Sequence, residues 1–311
     1  MSKIKQLVRF DWFIKNLLRD KADFEILEGF LSELLKDNIT ILEIVESEGN
    51  KKNKLDKFNR VDVLVKTSND ERVIIEVQNT KELDYLQRIL YGTSKTLSET
   101  IKEGEPYKNV KRIISISVVY FEIGQGEDYI YFSENSFIGI HKRDRLRLSA
   151  QQTEFFGNKI QTVEQIFPNY YLIRAADFDG NIQDGLDEWV YFFKTAKVQG
   201  KFKAKGLAKA KQRLDVAKLS SQERTEYEYY LESLRSEASY QEQLKFEAQK
   251  MAEEMVDEKV QEKVQEKDIE TREEIAINLL ANNIDVDTIV TVTKLPKSTI
   301  EEIRKNKPKI A

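Results

Sequence analysis

The feature that most restricts the fold is a pair of β-branched runs, RVDVLVK (60–66) and RVIIEVQ (72–78), separated by the turn-forming TSND. Short runs of valine and isoleucine divided by such residues predict an antiparallel hairpin. ITILEIVES (39–47) alternates as a further strand, and VKRIISISVVYF (110–121) reads as a long strand in the middle of a sheet. IYF (130–132), GIHKRDRLRLS (139–149) and YYLIRAADF (170–178) predict weaker strands, and KKNKLDK (51–57) a polar loop. Helical spacing covers 10–37, 82–104 and 184–196. Asp23 is the expected N-cap of a second early helix, and Gly104 the C-terminal signal of the helix after the hairpin. An α/β sheet layered with helices follows.

Beyond Pro168 the character changes. From Phe202 to Lys267 there is no proline, Gly206 is the only glycine, and VQEKVQEK (260–267) repeats every four residues. The tail 271–307 has three short helical patterns, with Asp285 and Ser298 as expected N-caps and Pro296 opening the third. This is the outline of a helix-turn-helix, although any small helical tail that packs or oligomerises looks similar. The expected organisation is a core over 1–200, a charged helical extension over 201–268 and a small helical tail over 269–311. The C-terminal helices suggest a homo-oligomer, but heptads are not sustained enough to set its number.

Composition removes several chemistries. There is no cysteine, hence no disulfide, thiolate metal site or cysteine nucleophile, and the single histidine, His141, excludes His-rich centres. His141 is flanked by Lys142 and Arg143 and reads as a surface residue. A metal would be held by carboxylate and carbonyl oxygens, which suits magnesium, with manganese as a substitute. No apolar run approaches the ~20 residues that span a bilayer, and the first residues contain no apolar signal region. No membrane association and a cytoplasmic location are expected. Net charge is −4, so any grip on a polyanion must be local. KTAKVQGKFKAKGLAKAKQR (194–213) has no acid, and its Lys201, Lys203 and Lys205 can release counterions from a phosphate backbone or simply face water.

The hairpin carries the chemistry. Alternation puts Val61, Val63 and Val65 on one face and Arg60, Asp62, Leu64 and Lys66 on the other; Val73, Ile75 and Val77 likewise oppose Arg72, Ile74, Glu76 and Gln78. With the turn centred near Asn69, Asp62 sits opposite Glu76. Directly opposed side chains have Cβ atoms ~4.5–5.5 Å apart, where two carboxylates repel. A cation, a shared proton or water must relieve them. A divalent ion bound by Asp62, Glu76 and the carbonyl of Val77 could activate a water and neutralise a phosphoryl group. Gln78 projects to the same side and can orient water or touch a phosphate, but it cannot serve as a base. Acids on the wet face of a hairpin produce the same pattern.

FNRVDVLVK and RVIIEVQN, followed by ELDYLQRILYGTSKTLSETIKEG and VKRIISISVVYF, resemble the recombination-promoting nucleases, also described as PD-(D/E)XK nuclease family transposases. FDWFIKNLLRD (10–20), FLSELL (30–35), DEWVYFF (187–193) and FKAKGLAKAK (202–211) fit as well. The resemblance implies a restriction-endonuclease-like mixed sheet flanked by helices. It also implies magnesium-dependent DNA cleavage linked to recombination or mobile elements. Asp62 matches the metal-binding aspartate, Glu76 the second acid, and Gln78 the place where the wider superfamily usually has lysine. In the helix after the hairpin, Arg88, Tyr91 and Lys95 share a face, with Arg88 and Lys95 as DNA contacts; Leu86, Ile89, Leu90 and Leu97 are expected to pack it. Asp11, Glu28, Glu33 and Tyr91 are accessory candidates. A non-catalytic DNA-binding or assembly protein on the same fold, or a phage-defence nuclease, stays open.

Overall fold

The hairpin forms in the expected register. Lys66 pairs with Arg72, Leu64 with Ile74 and Val63 with Ile75, which centres the turn on Asn69. Asp70 takes the left-handed conformation that the turn needs (φ 62°), one that aspartate tolerates better than most residues. The computed structural model describes residues 7–17, 21–47, 62–157 and 159–305, so the loop expected at 51–57 lies outside the described residues.

Chain order is α1 (Phe10–Trp12) running into a π-helical turn (Phe13–Leu17), then α2 (Lys21–Leu35), β1 (Ile41–Ser47), β2 (Val63–Thr67), β3 (Arg72–Gln78) and α3 (Tyr85–Glu99). There follow β4 (Ile113–Val119), β5 (Ile130–Ser133), α4 (Ala150–Phe155), β6 (Asn169–Arg174) and α5 (Gly185–Thr195). The chain continues through α6 (Leu207–Arg213), α7 (Ser221–Ala281), α8 (Val286–Thr293) and α9 (Lys297–Lys305). The strands make one mixed sheet in the order β1-β2-β3-β4-β6-β5. β3, β4 and β6 are parallel neighbours, while β1/β2, β2/β3 and β5/β6 pair antiparallel. A parallel β3/β4 pair requires a crossover, and α3 supplies it.

Both faces of the central strands are covered, which is why every residue of β4 is buried. On one side Leu97 of α3 packs onto Leu64, Ile74 and Ile113, so the face that also carries Glu76 lies under α3. Elsewhere α1, α2 and α5 bury a cluster of rings, with Phe10 and Phe193 centroids 4.2 Å apart and Phe30 and Phe193 5.0 Å apart. Asp184 caps α5 by accepting from the Leu186 and Asp187 N–H groups. Gly29 lets α2 approach the chain leading into α6; a Cβ there would sit 2.3 Å from the Lys205 carbonyl.

Several expectations change. Asp23 is not an N-cap: it lies inside α2, fully buried, with Arg213 Nε 3.2 Å away. Residues 139–149 form turns with a single bridge, Ile138 to Arg145, because their glycine and clustered charges offer no alternating apolar face. α3 ends at Glu99, with Thr100 as its C-cap, before Gly104. It packs through Tyr85, Ile89, Gly92, Thr93 and Thr96, whereas Leu86 and Leu90 point outward.

Met1–Tyr230 and Leu231–Ala311 form two compact units. In the second, Ala276 and Leu280 from the end of α7 pack with Ile289, Leu295 and Ile300. The helix expected from 271 is thus the end of α7, not a separate element. Asp285 caps α8, accepting from the Thr288 N–H at 2.9 Å, but Ser298 falls inside α9 instead of capping it. No helix among the described residues is long and apolar enough to cross a membrane.

Candidate active site

Asp62 stands one residue before β2, where the register continues to Glu76. Its Oδ2 accepts from the Val77 N–H at 2.6 Å, and its Oδ1 lies 3.5 Å from Lys15 Nζ in the π-helical turn. Glu76 is 8% exposed. Tyr85 Oη donates to its Oε2 at 3.4 Å, and α3 crosses it at Gly92, where a Cβ would lie 3.7 Å from Oε1. Burial pushes the Glu76 carboxyl up to about 7; the charges of Asp62 and Glu82 add to the rise, while Arg88 and the Tyr85 hydroxyl oppose it. A buried acid held near neutrality beside a second acid favours either a proton or a cation.

Gln78, two residues on and on the same face, donates from Nε2 to Glu82 Oε1 at 2.7 Å and to the Thr80 carbonyl at 3.3 Å. Arg88 Nη1 reaches both oxygens of Glu82, at 2.6 and 2.9 Å. Asp62, Glu76, Gln78 and Arg88 therefore gather at the C-terminal end of β3.

This pair of acids lies at one end of a mixed, helix-flanked sheet. The family model described as PD-(D/E)XK nuclease family transposase matches residues 8–244. The chain belongs to this family. Its mixed six-stranded sheet with flanking helices is the restriction-endonuclease-like fold, and its activity is nuclease- or transposase-like. No curated protein and no solved structure matches significantly.

Nucleases of the PD-(D/E)XK family generally use divalent metals, and the donors here fit one. Two carboxylates, with the Val77 carbonyl on the strand that carries Glu76, are hard oxygen ligands, and a cation would favour the ionised form of Glu76 against the burial that chiefly raises its pKa and the smaller repulsion from Asp62. Among the described residues no three acidic, histidine or cysteine side chains converge as metal ligands.

Asp11 lies in a separate buried network. Arg9 meets its carboxylate from Nε and Nη2, Asn79 Nδ2 donates to Oδ2 at 2.8 Å, Tyr230 Oη donates to the same oxygen, and the Trp12 N–H donates to Oδ1 at 2.8 Å. Arg9 also stacks over Tyr120, 4.9 Å from the ring centroid. Burial pushes the Asp11 carboxyl up, but the Arg9 charge and these hydrogen bonds outweigh it and hold it below the usual carboxylate range. Asn79 follows Gln78 directly, so the network anchors the end of β3.

The other candidates are not brought to this place. Glu28 Oε1 accepts from the Ile41 N–H at 2.7 Å, serving β1, and Glu33 Oε1 accepts from the Lys205 N–H at 3.3 Å. Lys201, Lys203 and Lys205 are exposed. Lys205 binds Asn38 at 2.6 Å, beside the turn of the hairpin, where Asp37 meets Asn69. That turn is at the other end of the seven-residue β3 from Gln78, roughly 20 Å away. Tyr91 is exposed on α3, Lys95 half-buried, and His141 exposed. Sequence reasoning missed Lys15, Glu82 and Tyr85. The first two lie four residues after Asp11 and Gln78, a weak signal that became meaningful only once the π-helical turn and the loop before α3 were placed.

Proposed function

We propose that the chain is a metal-dependent DNA endonuclease, with Asp62, Glu76 and Gln78 at its reaction centre and magnesium as its ion. The observation that carries this reading is the cross-strand pair of acids, one of them buried and titrating near neutrality. A divalent cation held by Asp62, Glu76 and the Val77 carbonyl supplies a water of lowered pKa and offsets phosphoryl charge; manganese can replace magnesium. Asp62 is kept in place by the Val77 N–H and Lys15. Glu76 is steadied by Tyr85, whose phenol burial pushes up so that it remains a donor. Gln78 orients water or the scissile phosphate through its amide; being neutral, it takes no proton. Arg88 and Lys95 contact the DNA backbone from α3, beside the exposed Tyr91. Lys201, Lys203 and Lys205 add sequence-independent affinity along a more distant stretch. Hydrolysis leaves a 5′-phosphate.

In this reading residues 1–200 are the nuclease core, 201–268 a charged extension and 269–311 a tail that assists DNA binding or self-association. The purpose is recombination or mobile-element movement inside the cytoplasm, or defence against phage by the same chemistry. Purified protein should nick plasmid with magnesium and not without it, and Glu76→Ala should remove the activity while the far-ultraviolet circular dichroism is unchanged. Undiminished nicking by Glu76→Ala sinks the assignment. One observation favours a second reading, a DNA-binding protein without turnover: the neutral Gln78 is already bonded to Glu82. It predicts salt-sensitive DNA binding and no nicking with either metal.

A further inference from the structure

Gln78 and Arg88 come from different elements, yet their donors converge on one acceptor. Gln78 Nε2 is 2.7 Å and Arg88 Nη1 2.6 Å from Glu82 Oε1, and Arg88 Nη1 is also 2.9 Å from Oε2. An amide N–H and a guanidinium aimed at one anionic oxygen are what a phosphodiester requires, because carboxylate and phosphate accept the same charge-assisted bonds. Glu82 sits in the short loop between β3 and α3, and its neighbour Leu83 is 93% exposed, so the loop tip is not packed down.

We infer that the Glu82 carboxylate fills a phosphate-binding subsite built from Gln78 and Arg88, and that a DNA backbone phosphate enters by displacing it. Glu82 stands in for substrate. While it is in place, Arg88 is neutralised and cannot add to the attraction of DNA. Its charge also faces Glu76 and opposes a second negative group there. When the phosphate replaces it, the loop carrying Glu82 swings outward and the phosphate comes to rest beside Glu76, on the same face of β3. The inference rests on the reading that this end of β3 receives DNA; whether cleavage follows is a separate matter.

The test is binding of the full-length chain to a fluorescein-labelled duplex of mixed sequence, in EDTA so that nothing is cut, across a series of salt concentrations. Glu82→Ala should tighten binding about fivefold, the worth of one exposed charge contact. It should also steepen the dependence of log Kd on log salt by about 0.9, the slope for one further neutralised phosphate. Glu82→Gln, which keeps the loop's shape, should show a smaller gain of the same sign. The double variant Glu82→Ala/Arg88→Ala should lose the gain and the extra slope. The inference is overturned if both Glu82 variants bind as wild type, or if the double variant keeps the full gain, since removal of any surface charge would then account for it. Plasmid nicking by the wild type is scored separately. Gain without nicking leaves the subsite standing and removes the nuclease reading; nicking without gain does the reverse.

Discussion

The Asp62 carboxylate is fastened to the strand that carries Glu76: its Oδ2 accepts a 2.6 Å hydrogen bond from the Val77 N–H. The bond holds the two acids together at the open end of the hairpin, and it separates the structural from the chemical role of Asp62. Asp62→Asn keeps an oxygen for Val77 but removes the charge. It should melt within about 1 kcal/mol of wild type and lose magnesium-dependent nicking. Asp62→Ala also strands the Val77 N–H, at about 1–3 kcal/mol. Thermal melts paired with plasmid assays distinguish the two, and wild-type nicking by the asparagine variant excludes a role for the charge.

Glu76 should make stability depend on pH with a definite sign. Its carboxyl moves from 4.5 to about 7 in the folded chain, chiefly through burial. The folded state therefore binds the proton more tightly. The stabilisation is complete below the unfolded value and lost as pH rises through about 7. Glu76→Gln removes this dependence and should melt above wild type in alkaline buffer by up to roughly 3 kcal/mol, the two converging in acid. Magnesium should raise the wild-type melting temperature increasingly as pH rises through about 7, and have much less effect on Glu76→Gln. Parallel stability curves for the two proteins across pH would contradict the shift.

Gly92 offers a steric test of the same acid. A Cβ at this position would make ordinary contact with Glu76 Oε1 at 3.7 Å, so Gly92→Ala should be accommodated and gain about 1 kcal/mol of helix stability. Gly92→Leu cannot be accommodated without crowding the carboxylate from above. It should weaken magnesium binding and nicking together, read by calorimetric titration beside the plasmid assay. If the leucine variant binds magnesium like wild type, α3 does not cover the metal-binding side of Glu76.

These relationships divide by what a linear pattern can express. The pairing of Val63 with Ile75 and the central place of Ile113–Val119 were legible because a period of two, a short turn and an uninterrupted apolar run each leave one solution. The face of α3 was not. Leu86 and Leu90 look like its packing residues, yet the helix is drawn close through Gly92, Thr93 and Thr96, and small residues carry no hydrophobic signal. The strand expected over 139–149 failed for a related reason, since apolar residues among clustered charges imitate alternation without a face to bury. The family motif pointed to Asp62, Glu76 and Gln78, but Glu82 as the acceptor between Gln78 and Arg88 depends on a loop conformation that spacing alone does not encode.

Asp11 shows the same limit. Its partners include Asn79, 68 residues away, and Tyr230, 219 residues away. Arg9 is two-thirds or more buried beside it, with Nη2 3.0 Å from Oδ2. Replacing Asp11 with alanine leaves a guanidinium in the interior without its carboxylate, which costs about 3 kcal/mol. Asp11→Asn retains one acceptor and should cost less. Because the Asp11 carboxyl is held below its ordinary value in the fold, its stabilisation is present above the unfolded pKa and is lost as pH falls through the folded one. Wild type should therefore lose stability in acid, and Asp11→Asn should lose less over that window. Since the network holds Asn79 next to Gln78, the asparagine variant should also lower the nicking rate at saturating magnesium with little change in the magnesium concentration needed. An unchanged rate in a folded, destabilised variant would confine Asp11 to stability alone.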